Sequence, residues 1–265
     1  MVATGCFHYP ESSNAVEAIN MADSTASCDS LPPYPIYLRV ADGIMINGVQ
    51  IIAGGYGYAS SSQFSEVYKL DYNGNSWVLL GNMAVPRFSL AVAELNGGAW
   101  AMGGFSSDTW SSVESSTEII YTNGNILNGP DLPEGRGGHC AVTLPNGNVV
   151  IMGGRTSLSV LSKDVLIYDI STSTYTSGPD MAYGHENFAC AHFYSDKHGG
   201  RPVILSAGGM SSSNTEIYDY TSENGVWEQS KLSFFIKVLF IGQFTRQNFR
   251  LCILCLVTQK FCLVN

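Results

Sequence analysis

The side chains in this sequence best suited to chemistry are basic, and they recur. Met83 is followed four residues later by Arg87, Leu132 by Arg136 and Met181 by His185. A guanidinium presents planar donors that suit bidentate contact with a carboxylate. The spacing therefore raises two uses. Arg87, Arg136 and His185 receive an acidic group of a partner, or they pair with acids on neighbouring segments, such as Glu66, Glu118 or Glu216, and hold the fold together. Arg155 opens a further polar loop, and Tyr58 and Trp110 stand in Ser-rich loops, where an aromatic either anchors a partner or folds back over the rim.

Other reactive residue types give no framework. His139 and His192 read as packed or hydrogen-bonded side chains. Cys140 and Cys190 occupy matching places in consecutive units and read as small buried hydrophobes. Cys252 and Cys255 form a C-x-x-C inside an apolar run with no His or acid beside it. No G-x-S-x-G, H-E-x-x-H, phosphate-cradling Gly loop or isolated carboxylate pair is present. The expectation is no catalytic residue, no metal site and no cofactor.

The elements that must position the basic residues are repeats. Five blocks roughly fifty residues apart carry an apolar run that ends in small residues: Val2 to Gly5, then runs closing in Gly54-Gly55, Gly103-Gly104, Gly153-Gly154 and Gly208-Gly209. After each pair comes a polar loop and a strand-length segment rich in β-branched and aromatic residues, such as Glu66-Val67-Tyr68-Lys69-Leu70. A second short segment follows, with Trp77, Tyr175 or Trp227 near its start and Ile126 in the same slot. Asn-Gly dipeptides separate the segments, at Asn47, Asn73, Asn96, Asn123, Asn146 and Asn224, and suit the positive φ of a tight hairpin. Each unit is then a four-stranded antiparallel meander, the geometry of a propeller blade.

The Gly-Gly pairs, the acid-led aromatic strand, the tryptophans and the Arg that follows resemble the kelch repeat over residues 2 to about 230. Cys6 in place of a second Gly and the missing Trp of two copies depart from its pattern. The resemblance implies an all-β kelch-type β-propeller, with four full blades, an earlier blade reduced to three strands and a ring that is open or imperfectly closed. About six blades are expected for an intact parent. It also implies arginines at the inter-blade position that receive acidic groups of peptides, a possibility that Arg87 and Arg136 inherit. The expected function is non-catalytic binding of a protein partner, an acidic peptide among the candidates, through the loops on one face. The alternative is a channel-site enzyme of the galactose oxidase or sialic acid mutarotase kind, though no His and Tyr spacing specifies a copper site.

Charge sharpens the class. Residues 1–230 hold 8 Lys and Arg against 22 acids, a balance of −14, whereas 231–265 hold 5 basic residues and no acid. An acidic body excludes nucleic acid as an expected partner. The tail has no repeat phrase, and Lys237, Arg246, Arg250 and Lys260 interrupt every apolar stretch, so no membrane span is expected. It reads as an atypical segment, a splice-variant or intron-derived end. No signal peptide is visible, which makes the cytoplasm the default compartment and leaves the extracellular one open to a longer N-terminus.

Overall fold

A computed structural model of the chain describes residues 28–57, 60–107, 112–156, 160–210, 214–222 and 225–229, together with Asn14 and the strands lying between residues 2 and 19. Tyr58, Trp110 and the tail at 231–265 fall outside them.

The strands assemble as the repeats predict. Blade 1 has three strands, Val2–Thr4, Val16–Ile19 and Cys28–Leu31. Four four-stranded antiparallel sheets follow: blade 2 from Asp42–Ile46, Val49–Ala53, Glu66–Asp71 and Ser76–Asn82, and blade 3 from Ala91–Leu95, Gly98–Met102, Thr117–Ile120 and Ile126–Asn128. Blade 4 comprises Cys140–Thr143, Val149–Met152, Val165–Asp169 and Thr174–Ser177, and blade 5 Ala189–Ser195, Arg201–Ala207, Thr215–Tyr218 and Trp227–Gln229. The hairpins at Asn47-Gly48 (φ 49° and 81°) and Asn96-Gly97 (φ 52° and 73°) take the left-handed turn that their residue types favour. Among the described residues no helix is long and apolar enough to cross a membrane.

Most of the core lies between blades, and a smaller cluster of Val203, Leu205 and Ile217 lies within blade 5. One buried cluster joins Ile44, Ile51 and Val67 of blade 2 to Val92, Ala99 and Ile120 of blade 3. The next joins Trp100 and Met102 to Ile151 and Tyr168 of blade 4, and a third joins Val150 and Met152 to Ile204 and Trp227 of blade 5. Successive residues of each strand face opposite neighbours, so a sheet that stands between two others buries apolar side chains on both sides. The outer strands add a polar tie. Trp77 Nε1 donates to the Pro32 carbonyl and Trp227 Nε1 to that of Pro179, each at 2.9 Å. Tyr175 fills the tryptophan's place in blade 4, and its hydroxyl donates to the Pro130 carbonyl at the same 2.9 Å. In blade 3, Ile126 packs toward Gly81, where an added Cβ would stand 3.2 Å from Ile126 Cδ1.

The first strands of successive blades converge on the axis, and this corrects the reading of two cysteines. Cys140 and Cys190 are joined in a disulfide, Cα atoms 6.1 Å apart, between the first strands of blades 4 and 5. Cys140 pairs with Met152, one residue before its Gly-Gly pair, and Cys190 with Ser206, two before, and this offset of one turns the two side chains toward each other across the gap. The link closes a sequence separation of 50 residues. Reduction, or the double substitution Cys140→Ala with Cys190→Ala, is expected to lower the stability measured by chemical denaturation by about 2–4 kcal/mol. An unchanged midpoint under strong reductant, with the thiols titrated as free, refutes the link's contribution.

Candidate functional site

The recurring basic residue ties one blade to the next. Arg87, in the loop between blades 2 and 3, is fully buried. Its carbonyl accepts from Gly55 N at 2.9 Å, behind it in blade 2. Its guanidinium points forward into blade 3 and donates to the carbonyls of Gly103 (3.0 Å) and Ser116 (2.6 Å), to Ser116 Oγ (3.0 Å) and to Glu118 Oε1 (3.3 Å). Glu118 also accepts the backbone N–H groups of Ala84 at 2.8 Å and Val85 at 3.4 Å. One carboxylate thus satisfies the loop as well as the cation that the loop carries. Burial pulls the guanidinium below its usual range, and Glu118 and then Glu114 pull it back.

His185 repeats the arrangement between blades 4 and 5. Its carbonyl accepts from Gly154 N at 2.8 Å. Nδ1 lies 2.7 Å from the Gly208 carbonyl, which can only accept, so that nitrogen carries a hydrogen. Nε2 faces Glu216 Oε1 at 3.1 Å, and Glu216 takes the N–H groups of Ala182 and Tyr183 at 2.7 and 3.1 Å. Arg136 keeps only half of the pattern. Its carbonyl accepts from Gly104 N at 2.9 Å and its Nη1 donates to the Gly153 carbonyl at 3.3 Å. The acid is missing because Leu166 holds the register of Glu118 and Glu216, opposite Ile151 of the second strand. The Nε of Arg136 is buried without a partner, and burial lowers its pKa against the pull of Asp164 and Glu134. Leu38 and Tyr68 take the two places in blade 2.

The remaining basic residue faces outward. Arg155, directly after Gly154, is 32% exposed and lies bidentate on the buried Glu186, Nε to Oε1 at 3.1 Å and Nη2 to Oε2 at 2.7 Å. That hydrogen bonding raises its pKa. Around it the same loops expose Val160, Tyr183 and Met210. Met210 N bonds the Glu186 carbonyl at 2.9 Å, and the backbone N–H of Thr156 reaches the Val160 carbonyl at 3.2 Å, which fixes the patch on the blade 4 and 5 sector of this face. In blades 2 and 3 the equivalent positions are aromatic. Tyr56, Phe88 and Phe105 stack with centroids 5.3 and 5.4 Å apart, the Arg39 guanidinium lies 5.0 Å from the Tyr56 ring, and both phenylalanines are buried. Glu186 carried no sequence signal as the partner of Arg155.

Beneath this face a row of backbone hydrogen bonds runs from blade to blade beside the axis. Asn187 N donates to Gly138 O (2.8 Å), Gly138 N to Ser89 O (2.7 Å) and Ser89 N to Val40 O (2.7 Å), and all four residues have φ between 49° and 66°. Gly and Asn in two of these places hint at the left-handed conformation, whereas Val40 conceals it. These four residues border an axial cavity of about 60 Å³, whose walls also include Asp42, His139, Cys140 and Cys190. His139 is buried with neither ring nitrogen hydrogen-bonded. Burial, followed by the charge of Arg136, pushes its pKa down to about 3. No group of three His, Cys, Asp or Glu side chains among the described residues is arranged to hold a metal.

Comparison with known proteins agrees with the repeat. A family model described as "Kelch motif" matches residues 136–182, the span of blade 4. An F-box/kelch-repeat protein of Arabidopsis thaliana is 30% identical over 118 residues, 40% of this chain and 34% of the relative. Kelch-like protein 15 of Danio rerio is 29% identical over 135 residues, 47% of this chain and 20% of the relative. A second F-box/kelch-repeat protein of Arabidopsis thaliana is 29% identical over 146 residues, 52% of this chain and 37% of the relative. The chain thus spans little more than a third of these curated relatives at most. Among solved structures, that of YjhT superposes with a TM-score of 0.68 over 86% of this chain and 82% of its own, at 13% identity, a likeness of fold.

Two outcomes follow from the buried charges. Glu118→Leu strands the Arg87 cation and is expected to cost about 3–5 kcal/mol, whereas Leu166→Glu supplies the carboxylate that Arg136 lacks and is expected to add about 1 kcal/mol; urea denaturation of both variants checks the pair. His139 is neutral in the fold, while in the unfolded chain it protonates near 6.5. Its contribution is therefore complete above pH 6.5 and is lost as pH falls toward 3, by about 2 kcal/mol at pH 5. The stability difference between pH 7 and pH 5 should shrink by that amount in His139→Gln, and an unchanged difference contradicts the assignment.

Proposed function

Because the chain belongs to the kelch-repeat family of β-propellers, we propose that it is a non-catalytic binding module that receives a protein partner on the face where the Gly-Gly loops and the inter-blade loops emerge. The observation that carries this reading is the sector built by blades 4 and 5. There Arg155 is held rigidly by Glu186 and flanked by exposed Val160, Tyr183 and Met210. An immobilised cation bordered by apolar and aromatic side chains suits an interface core with a polar rim. Loops on a rigid scaffold are where such contacts concentrate.

The residues first considered for an acidic ligand divide accordingly. Arg87, Arg136 and His185 are buried between blades, so the cation this face offers in the blade 4 and 5 sector is Arg155. The partner segment that fits best pairs apolar side chains with an acidic or hydroxyl group aimed at Arg155. The axial cavity, at about 60 Å³ among the described residues, is far smaller than the roughly 300 Å³ and upward of small-molecule sites. That favours the face over the channel as the working surface.

The test compares the full chain with Tyr183→Asp and Met210→Asp, and with Tyr194→Asp on the opposite face, all showing unchanged thermal melting. Cross-linking of the immobilised proteins in an extract of the source tissue, read by mass spectrometry, is expected to give a set of proteins that the first two variants lose and the third retains. An identical set from all four removes the assignment to this face.

A further inference from the structure

Seven Asn-Gly dipeptides occur in the chain, at Asn47, Asn73, Asn96, Asn123, Asn128, Asn146 and Asn224, the last outside the described residues. Such a pair carries a reaction of its own. The glycine backbone nitrogen attacks the asparagine Cγ, with no side chain on the glycine to obstruct the approach. The N–Cγ bond forms, the Cγ–Nδ2 bond breaks, ammonia leaves and a five-membered succinimide remains. Water then opens either carbonyl and gives aspartate or isoaspartate. The step needs a glycine N–H that is free to lose its proton and an asparagine side chain that is free to turn toward it.

Four of the described turns withhold these groups. Gly124 N donates to the Tyr121 carbonyl and Gly147 N to that of Leu144, both at 2.9 Å. The side chains are held as well, since Asn123 Oδ1 accepts from Asn125 N at 3.0 Å and Asn146 Oδ1 from Asn148 N at 3.1 Å. Gly129 N, after Asn128, donates to the Thr117 carbonyl at 2.9 Å. At Asn73 the obstacle is charge. Asp71 Oδ1 accepts from Asn73 N at 3.0 Å, and its Oδ2 stands 2.6 Å from the place of a Gly74 Cβ. A negative charge there opposes loss of the glycine proton.

Asn47 and Asn96 are restrained by neither device. Each forms with its glycine a two-residue hairpin between the first and second strands of its blade, closed by the pairs Ile46–Val49 and Leu95–Gly98. Both residues of each turn are exposed. Apart from chain neighbours, nothing lies within 4 Å of where a Cβ on Gly48 or Gly97 would stand. Among the described residues, neither the glycine N–H nor the asparagine side chain of either turn has a hydrogen-bond partner.

We propose that Asn47 and Asn96 are the described sites at which the folded chain is modified by deamidation, and that the fold protects the other four. Isoaspartate carries the main chain through the former side-chain carboxyl and lengthens it by one carbon, so a two-residue turn no longer fits the spacing that sets Ile46 opposite Val49 or Leu95 opposite Gly98. The strands beside these turns bear Ile44, Ile51, Val92 and Ala99, all in the core shared by blades 2 and 3. The modification therefore acts on the seam between those blades.

The test ages the full chain at mildly alkaline pH, natively and in denaturant, and reads each Asn-Gly peptide by mass spectrometry. In denaturant all the sites are expected to convert at similar rates, because the same residue follows each asparagine. In the native chain Asn47 and Asn96 should convert roughly tenfold or more faster than Asn123 and Asn146, where two hydrogen bonds must first break. Asn47→Gly combined with Asn96→Gly keeps a residue pair that suits the turn, and should retain most of the stability that the wild-type chain loses on ageing. Equal native rates at positions 47, 96, 123 and 146 overturn the proposal. The same order of rates in denaturant also does, since it assigns the order to sequence instead of fold, and an equal loss of stability in the double variant overturns the effect on the seam.

Discussion

The contact on which the structure depends is the close approach of each Gly-Gly corner to the loop that follows its blade. A Cβ on Gly54 would stand 2.4 Å from the Arg87 carbonyl oxygen, and one on Gly103 would stand 2.4 Å from that of Arg136. Both glycines also have positive φ. Only a residue without a side chain lets the corner and the loop touch, and only then can the second glycine's N–H reach that carbonyl. The basic residue of the loop is thereby fixed at its backbone to one blade while its side chain reaches the first glycine carbonyl of the next. Arg87, Arg136 and His185 all do this, with donor groups of different shape.

Such a tie makes stability a property of neighbours. The three largest apolar clusters say the same, since each draws on two blades. The tie need not be identical in every gap. Between blades 2 and 3 a cation and an acid are buried together, and between blades 4 and 5 an imidazole and an acid. Leu38 and Tyr68 replace both groups in blade 2, which avoids the desolvation of either charge. Blade 4 alone keeps the cation and loses the acid. There the Cys140–Cys190 link crosses to blade 5, whose own gap depends on an imidazole instead of a guanidinium.

The repeat was legible because glycines, Asn-Gly turns and strand periodicity are local signals that recur at one spacing, and the blade boundaries followed from them. The site was less so. Nothing in the sequence around Arg87 distinguishes a guanidinium that meets a partner from one that meets Glu118, because the distinction is made by a strand thirty residues further on. Arg155 owes its rigidity to Glu186 in another loop, and neither residue's neighbours announce the pairing. Cys140 and Cys190 lie one residue out of register, and only the side-by-side packing of the inner strands turns that offset into a bond. Val40 at φ 51° is the least legible of all, since a β-branched residue argues against that conformation and the backbone contact with Ser89 goes with it.

Equivalent backbone positions end up with unlike chemistry, and this is what lets a repeated scaffold carry a single site. The residue after the Gly-Gly corner is Tyr56 in blade 2, Phe105 in blade 3, Arg155 in blade 4 and Met210 in blade 5. In the first two blades aromatic stacking closes the mouth with Phe88 beneath it. At Gly137 the absence of a side chain makes room for the Phe105 ring, which a Cβ would meet at 2.4 Å. In the last two the same positions turn outward, one as a cation locked to Glu186 and one as a thioether 63% exposed. The ties beneath need only a glycine pair and a donor, and so constrain none of these four residues. The face is therefore asymmetric although the backbone contacts beneath it repeat, and the proposed partner would read the one sector set by blades 4 and 5.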